Sequence, residues 1–160
     1  LYIPRALLQV WRGAFRMKPA RTIAHGFATI LLALAIGAVF GASAVLFFFA
    51  QAAVAVLLLT SIDYIEHYGL ERKATGDGKF ESVKPWHSWD SDSLLMGELL
   101  IHLQRHADHH MKPLKAYPDL ELLPDARKLP TGYAGMIWLA WWPHLWFRIM
   151  DPRIELARSG

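Results

Sequence analysis

Two absences limit the chemistry open to this chain of 160 residues. It has no cysteine, which excludes disulfide bonds, iron–sulfur clusters, thiolate zinc sites and cysteine nucleophiles. It also has no Asp, Glu, Lys or Arg from Thr22 to Ile62, where His25 and Gln51 are the only strongly polar side chains. The first absence leaves histidines and carboxylates as metal ligands, and the second indicates a membrane.

The charge-free run is too long for one membrane span. Its 41 residues would make a helix of about 60 Å, roughly twice the hydrocarbon thickness of a bilayer. Gly37, Gly41 and Ser43 weaken the helix midway, so the sequence predicts two spans, Ile23–Phe40 and Ala44–Ile62. The alternative, two buried helices in a soluble core, is disfavoured because so short a chain lacks the mass to cover them.

Basic residues before the apolar run orient the two spans. The first 21 residues contain no acidic side chain but five basic ones, Arg5, Arg12, Arg16, Lys18 and Arg21. The positive-inside tendency places this end in the cytoplasm, and two spans return the chain to the same side. We therefore expect residues 63–160 on the cytoplasmic side. The net charge of +3 is better explained by topology and lipid headgroups than by nucleic acid.

The second span ends in the polar segment "SIDYIEHYGLER". Asp63, Glu66 and His67 fall within five residues, where an apolar helix should meet water. Such residues can be ordinary interfacial side chains beside an aromatic belt. Ionisable groups at the mouth of a membrane bundle are costly, however, and mark functional sites more often.

A second histidine group follows in "QRHADHH". His106, His109 and His110 are three and four residues apart, a spacing that places side chains on one face of a helix. The pattern predicts one helix that begins after Asp90–Ser93 and carries these residues and His102 at its C-terminal end. Neutral imidazoles suit iron, zinc, copper or nickel, and their number is sufficient to contribute to two metal ions.

Four motifs together are specific. "YIEHYG", "HSWDS", "LQRHADHH" and "GYAGM...LWFRIMDPRI" resemble the C-terminal part of the integral-membrane alkane 1-monooxygenases, within the non-haem di-iron membrane hydroxylases and desaturases. The resemblance implies an all-α membrane bundle in the bacterial inner membrane, with its metal site on the cytoplasmic side. It also implies two non-haem irons, dioxygen, terminal hydroxylation of a medium-chain alkane, and electrons from a rubredoxin-like partner.

The resemblance assigns residues as well as chemistry. Four histidines match the family's iron ligands, namely His67, His106, His109 and His110. It implies no catalytic residue beyond these ligands. Family members usually have Asn at the positions of Asp63 and Asp90, Ser at Ala107 and a small residue at Met111. These departures affect the surroundings of the ligands and leave the ligands themselves unchanged.

Other polar residues are candidates for supporting roles. Glu66 is expected to orient an imidazole rather than bind metal, and Asp63 and Asp108 are weaker candidates for the same role. His102 either supports the site or packs in the fold. His87, between Trp86 and Trp89, lines an entrance or lies at the interface.

The resemblance also shows what this chain lacks. The family's two earlier histidine motifs, HExxH-like and EHxxxHH-like, do not occur here. We therefore expect the C-terminal portion of a longer enzyme, or part of a site completed by a companion chain. Its expected parts are a basic flank (1–22), two spans (23–62) and a histidine-rich cap (63–160) that ends in an interfacial helix.

Alternatives remain for the activity. The same ligands would serve a fatty-acyl or aromatic-methyl hydroxylase or a desaturase, because metal ligands alone do not determine which substrate is bound. In another class, a membrane transporter or sensor would use these histidines to bind its ion. A transporter would need several polar residues within the membrane spans to carry the ion across, and Gln51 alone is a poor path for an ion.

Overall fold

The computed structural model describes residues 19–76 and 78–159. Four of the five basic residues used to orient the spans, Arg5, Arg12, Arg16 and Lys18, lie outside these ranges. The described chain divides into two units, residues up to Ser61 and residues from Ile62 onward, and each is treated by itself.

Two long apolar helices make up the first unit and lead into the second. Helix α1 spans Pro19–Phe40 and helix α2 spans Ala42–His67. They are separated by Gly41, whose φ of +84° is a conformation that glycine adopts without strain. Both helices are long and apolar enough to cross a membrane. The predicted pair of helices is confirmed, but α2 continues past Ile62 and keeps the polar motif helical.

The surface of these helices suits lipid. Large apolar side chains are exposed along both, including Leu34 (65%), Phe40 (71%) and Phe47 (72%). A helix that is apolar all round belongs in a protein core or a bilayer. The chain is therefore an all-α membrane protein, as the sequence predicts.

The second unit is built from short elements. Its helices are α3 (Leu94–Leu99), α4 (His106–Met111), α5 (Tyr133–Ala140) and α6 (Pro143–Ser159). Single 3-10 turns cover Pro85–His87 and Tyr117–Asp119. Two-residue strands β1 (Trp89–Asp90) and β2 (Arg127–Lys128) pair in parallel, with Trp89 opposite Arg127 and Asp90 opposite Lys128.

One apolar core holds this unit together. Its buried members come from the end of α2, from β1, from the residue after β2, from α5 and from one face of α6: Ile62, Ile65, Trp89, Leu129, Tyr133, Met136, Trp146, Met150 and Ile154. Positions 146, 150 and 154 are four residues apart and therefore form one helical stripe. The core fixes the last turns of α2, and with them Glu66 and His67.

The single histidine-bearing helix predicted from Ser93 onward is wrong. Helix α3 ends at Leu99, and the chain turns back through Ile101 and His102, whose φ angles are +53° and +58°. The N–H of His102 donates to the carbonyl of Gly97 at 2.8 Å, which closes the turn. His102 therefore lies in a turn, and only His106, His109 and His110 are on α4.

The tryptophan-rich segment near the end forms two helices. The helices meet at Trp141 and Trp142, because Pro143 begins α6. Helix α5 has eight residues, too few to cross a bilayer. Trp138, Trp141 and Trp142 are all exposed. The segment is thus not a third full span, in agreement with the sequence expectation.

Candidate metal centre

Three imidazoles converge where the end of α2 meets α4. The Nε2 atom of His67 lies 3.3 Å from that of His106 and 3.1 Å from that of His110. The His106 and His110 Nε2 atoms are 2.7 Å apart. Among the described residues these three form the group that can hold a metal ion.

The triangle has the size that one ion requires. Two nitrogens each about 2.1 Å from an ion are about 3.0 Å apart at a right angle and about 3.4 Å apart at a tetrahedral angle. The three separations, 2.7, 3.1 and 3.3 Å, lie close to these values. Nitrogens held this close need a proton or a cation between them, and three neutral imidazoles are a donor set that fits iron.

Burial and neighbouring imidazoles keep two of these rings, those of His106 and His110, neutral. Burial, together with the neighbouring imidazoles of His110, His67 and His109, lowers the pKa of His106 to about 3. Burial and the imidazoles of His67 and His109 also lower the pKa of His110. Metal binding requires neutral imidazole, so the protein presents these two donors in the form that binds.

Oxygen atoms behind the rings fix which nitrogen faces the centre. The Nδ1 of His67 is 2.9 Å from the backbone carbonyl of Asp63 and 3.4 Å from its carboxylate. The buried Nδ1 of His106 lies 3.4 Å from Oε1 of Glu66. With the Nδ1 of His67 protonated toward the Asp63 carbonyl, the Nε2 lone pair of that ring points at the centre; a His106 Nδ1 proton facing Glu66, at a distance beyond hydrogen bonding, would orient its ring in the same way.

Tyr133 supports this arrangement and was missed by the sequence reasoning. Its hydroxyl donates to Glu66 Oε1 at 2.5 Å, and both side chains are buried. A tyrosine at the start of α5 carries no pattern that links it to a glutamate 67 residues earlier. The bond holds the Glu66 carboxylate beside His106.

His109 is separate from the three converging rings. It is exposed, and its ring centroid lies 6.2 Å from that of His106 and 6.0 Å from that of His110. On α4 it is three residues from His106, whereas His110 is four residues away and stacks back toward the centre. Its role as a ligand stays a prediction.

The two other candidate histidines make hydrogen bonds of their own. The Nδ1 of His102 lies 3.0 Å from the carbonyl of Tyr117. The Nδ1 of His87 accepts the Lys84 N–H at 3.0 Å, and its Nε2 lies 3.4 Å from Glu81 Oε1. Both rings have partners within the fold, and their roles at the site stay predictions.

His87 also faces a cavity next to the centre. The cavity measures about 250 Å³ and is lined by His67, Leu70, Arg72, Val83, His87 and His110. The prediction that His87 lines an entrance is compatible with this cavity, because His67 and His110 line it as well.

Asp108 has partners other than histidine. Its Oδ2 accepts the Lys115 ammonium at 2.7 Å and the Glu121 N–H at 3.0 Å. Burial alone would raise the pKa of Asp108, but these donors outweigh burial and the pKa is lowered. Asp108 thus fastens the segment after α4.

The chain belongs to the fatty acid desaturase family, whose model matches residues 1–140. Within that family it is similar to alkane 1-monooxygenases. It is 37% identical to alkane 1-monooxygenase 1 of Pseudomonas aeruginosa, over 99% of this chain and 45% of the relative. It is 44% identical to alkane 1-monooxygenase 2 of Alcanivorax borkumensis, over 81% of this chain and 34% of the relative. It is 43% identical to the alkane 1-monooxygenase of Pseudomonas putida, over 82% of this chain and 33% of the relative.

These matches confirm the resemblance seen in the histidine motifs. The relatives are named as monooxygenases, which are oxidoreductases. The chain spans less than half the length of the curated relatives it matches.

Proposed function

We propose that this chain supplies part of the ligand set of a membrane-bound, non-haem di-iron monooxygenase that hydroxylates the terminal carbon of medium-chain alkanes. The observation that carries the proposal is the convergence of the His67, His106 and His110 Nε2 atoms within 3.3 Å of one another. The named relatives add the reaction and the substrate class.

Each residue then has a distinct task. His67, His106 and His110 bind one ion through Nε2, while His109 is the fourth ligand on this chain and serves the second ion. Bound iron would supply dioxygen activation and attack on an unactivated C–H bond. Glu66 and Asp63 keep the Nδ1 protons in place, so that the rings stay oriented through the reaction.

The remaining ligands come from outside this chain. Four histidines cannot complete two iron sites, and the matched relatives are more than twice as long. We propose that residues 1–22, 23–62 and 63–160 act as flank, membrane pair and cap of one larger domain. Alone, the chain is expected to be inactive.

The substrate is proposed to arrive through the bilayer. Alkanes dissolve in hydrocarbon, and the ligands begin where the apolar helix α2 ends. A fatty-acyl substrate, with hydroxylation or desaturation, is the second candidate because the matching family model is that of fatty acid desaturases. Supplying both substrates to the same preparation separates these two functions.

Electrons are proposed to come from a rubredoxin-like protein on the cytoplasmic side of the bacterial inner membrane. Of the basic residues near the centre, Lys115 is paired with Asp108, and Arg127 donates to the carbonyl of Ala157 at 2.6 Å. Lys112 is exposed but lies 3.7 Å from the Asp108 carboxylate, whereas Lys128 is exposed and is available to an acidic partner.

Iron content tests the proposal directly. The protein as the cell makes it should bind about two irons per site, and His106→Ala and His110→Ala should each lower that number. His144→Ala is the matched control, because this exposed histidine lies on α6. Preparations with iron, a rubredoxin and its reductase should convert a medium-chain alkane to the 1-alcohol. Predominant zinc, or iron unchanged in both variants, would refute the assignment.

A further inference from the structure

The ligands come from two segments that must be brought together before an ion can bind. His67 ends α2, and His106 begins α4, 39 residues later. Nitrogen lone pairs that face one another repel, so the imidazoles themselves do not hold the segments in place. Another contact has to fix the distance between them.

Trp89 is bonded to the first of these segments. Its indole is buried in the apolar core, and its Nε1 donates to the carbonyl of Tyr68 at 2.8 Å. Tyr68 is the residue directly after His67. The hydrogen bond therefore holds the chain at the exit of α2.

Asp90 is bonded to the second segment. Its side chain is fully buried, and Oδ1 accepts the N–H of Ala107 at 2.8 Å. Ala107 is the residue directly after His106, in the first turn of α4. The next residue repeats the attachment, because the Ser91 N–H donates to the carbonyl of Gln104 at 3.1 Å.

A small sheet anchors these residues from behind. Strand β1 consists of Trp89 and Asp90 and pairs with β2. The carbonyl of Asp90 accepts the Leu129 N–H at 2.9 Å. The backbone of Trp89 and Asp90 is thus held by β2 and Leu129, which carry none of the candidate ligands.

Burying Asp90 is costly, which argues that it has a task. Its second oxygen, Oδ2, is buried and has no hydrogen-bond partner in the described structure. A carboxylate with one unpartnered oxygen disfavours folding compared with an apolar side chain of similar size. The bond to α4 is the compensating contact.

We infer that Trp89 and Asp90 form a clasp that holds His67 at the separation from His106 and His110 that a metal ion requires. Both are positioning residues, because neither touches the ion. The inference rests on the proposed metal centre and deepens it. It predicts that losing either side-chain contact weakens metal binding more than it weakens the fold.

The test uses Co(II) alone as the probe, added to the metal-stripped protein as the cell makes it. Three variants change the clasp: Trp89→Phe removes the N–H, Asp90→Leu removes the acceptor, and Asp90→Asn keeps an acceptor oxygen. Trp138→Phe is the matched control, because Trp138 is exposed and undergoes the same chemical change. The readouts are the Co(II) dissociation constant, the visible ligand-field spectrum and the unfolding midpoint without metal.

Asp90→Leu should weaken Co(II) binding about 10–100-fold and alter the spectrum, as loss of an orienting partner does. Trp89→Phe should weaken it several-fold, while Asp90→Asn and Trp138→Phe should match the wild type. If Asp90→Leu does not fold, Trp89→Phe decides. Wild-type affinity and spectrum in a folded Trp89→Phe protein would overturn the clasp while leaving the proposed function intact. A wild-type protein that binds no Co(II) would overturn both.

Discussion

Tyr133→Phe isolates one buried hydrogen bond beneath the histidine cluster. The hydroxyl of Tyr133 lies 2.5 Å from Oε1 of Glu66, and the two residues are 0% and 3% exposed. Phenylalanine keeps the ring in the core and removes only the donor. The Glu66 carboxylate would then have lost a partner without gaining access to water.

The expected cost follows from that burial. A buried acceptor that loses its donor costs about 1–3 kcal/mol. We therefore expect Tyr133→Phe to lower the free energy of unfolding by about 1–3 kcal/mol. Replacing both partners should cost less than the two single changes together, because Glu66→Met removes the buried acceptor that needs the donor.

The assay is a double-mutant cycle in detergent, with unfolding followed by tryptophan fluorescence. Trp146 is a suitable reporter because it is 1% exposed and packs against Tyr64 at 5.2 Å between ring centroids. The coupling energy between Tyr133 and Glu66 should reach about 1 kcal/mol or more. Single-variant effects that add to within about 0.5 kcal/mol would refute the reasoning.

Three further substitutions test the surroundings of the centre by the same unfolding measurement. Ile101→Gly should raise the free energy of unfolding by about 0.5–1 kcal/mol, because isoleucine is strained at a φ of +53°; no gain would mean that this turn is unstrained. Gly69→Ala should lower it by about 2 kcal/mol or more, since φ is +69° and a Cβ atom would overlap Ile154; an unchanged value would contradict the close approach. Lys115→Met should lower the unfolding midpoint because it leaves the buried Asp108 short of a cation, whereas Lys115→Arg should preserve it; equal midpoints would contradict the pairing.

The long helices could be predicted because their signal is local. A charge-free run of 41 residues has few alternatives to membrane helices, and Gly41 marks the break by its own conformational freedom. Three of the four predicted bounds were too short: α1 begins at Pro19, and α2 runs from Ala42 to His67. The apolar pattern stops at Ile62, but packing of Ile65 in the core carries the helix further.

The path from α3 to α4 could not be predicted, because tertiary contacts decide it. Ile101 and His102 adopt positive φ although neither is glycine. The turn is held by the His102 N–H on Gly97 and by the Gln104 side chain, whose Nε2 donates to the carbonyl of Ser93 at 3.2 Å. Without knowledge of these contacts, the leucines and histidines after Ser93 predict one continuous helix.

The candidate ligands could be predicted from motifs, but the groups that contact them could be predicted only in part. Glu66 could be singled out because it directly precedes His67, whereas Tyr133 lies far along the chain. Local spacing explains why His106 and His110 share a face. The register of α2 relative to α4 depends instead on side chains from β1 and α5.

The continuation of helix α2 past Ile62 explains how the adjacent residues Glu66 and His67 can have different roles. Successive side chains on a helix are about 100° apart, so Glu66 and His67 cannot face the same way. Glu66 is buried toward Tyr133, while His67 is half-buried and faces α4. If α2 ended at Ile62, the directions of these two side chains would no longer be fixed by the helix. The carboxylate behind the centre and the imidazole within it therefore depend on the same five residues staying helical.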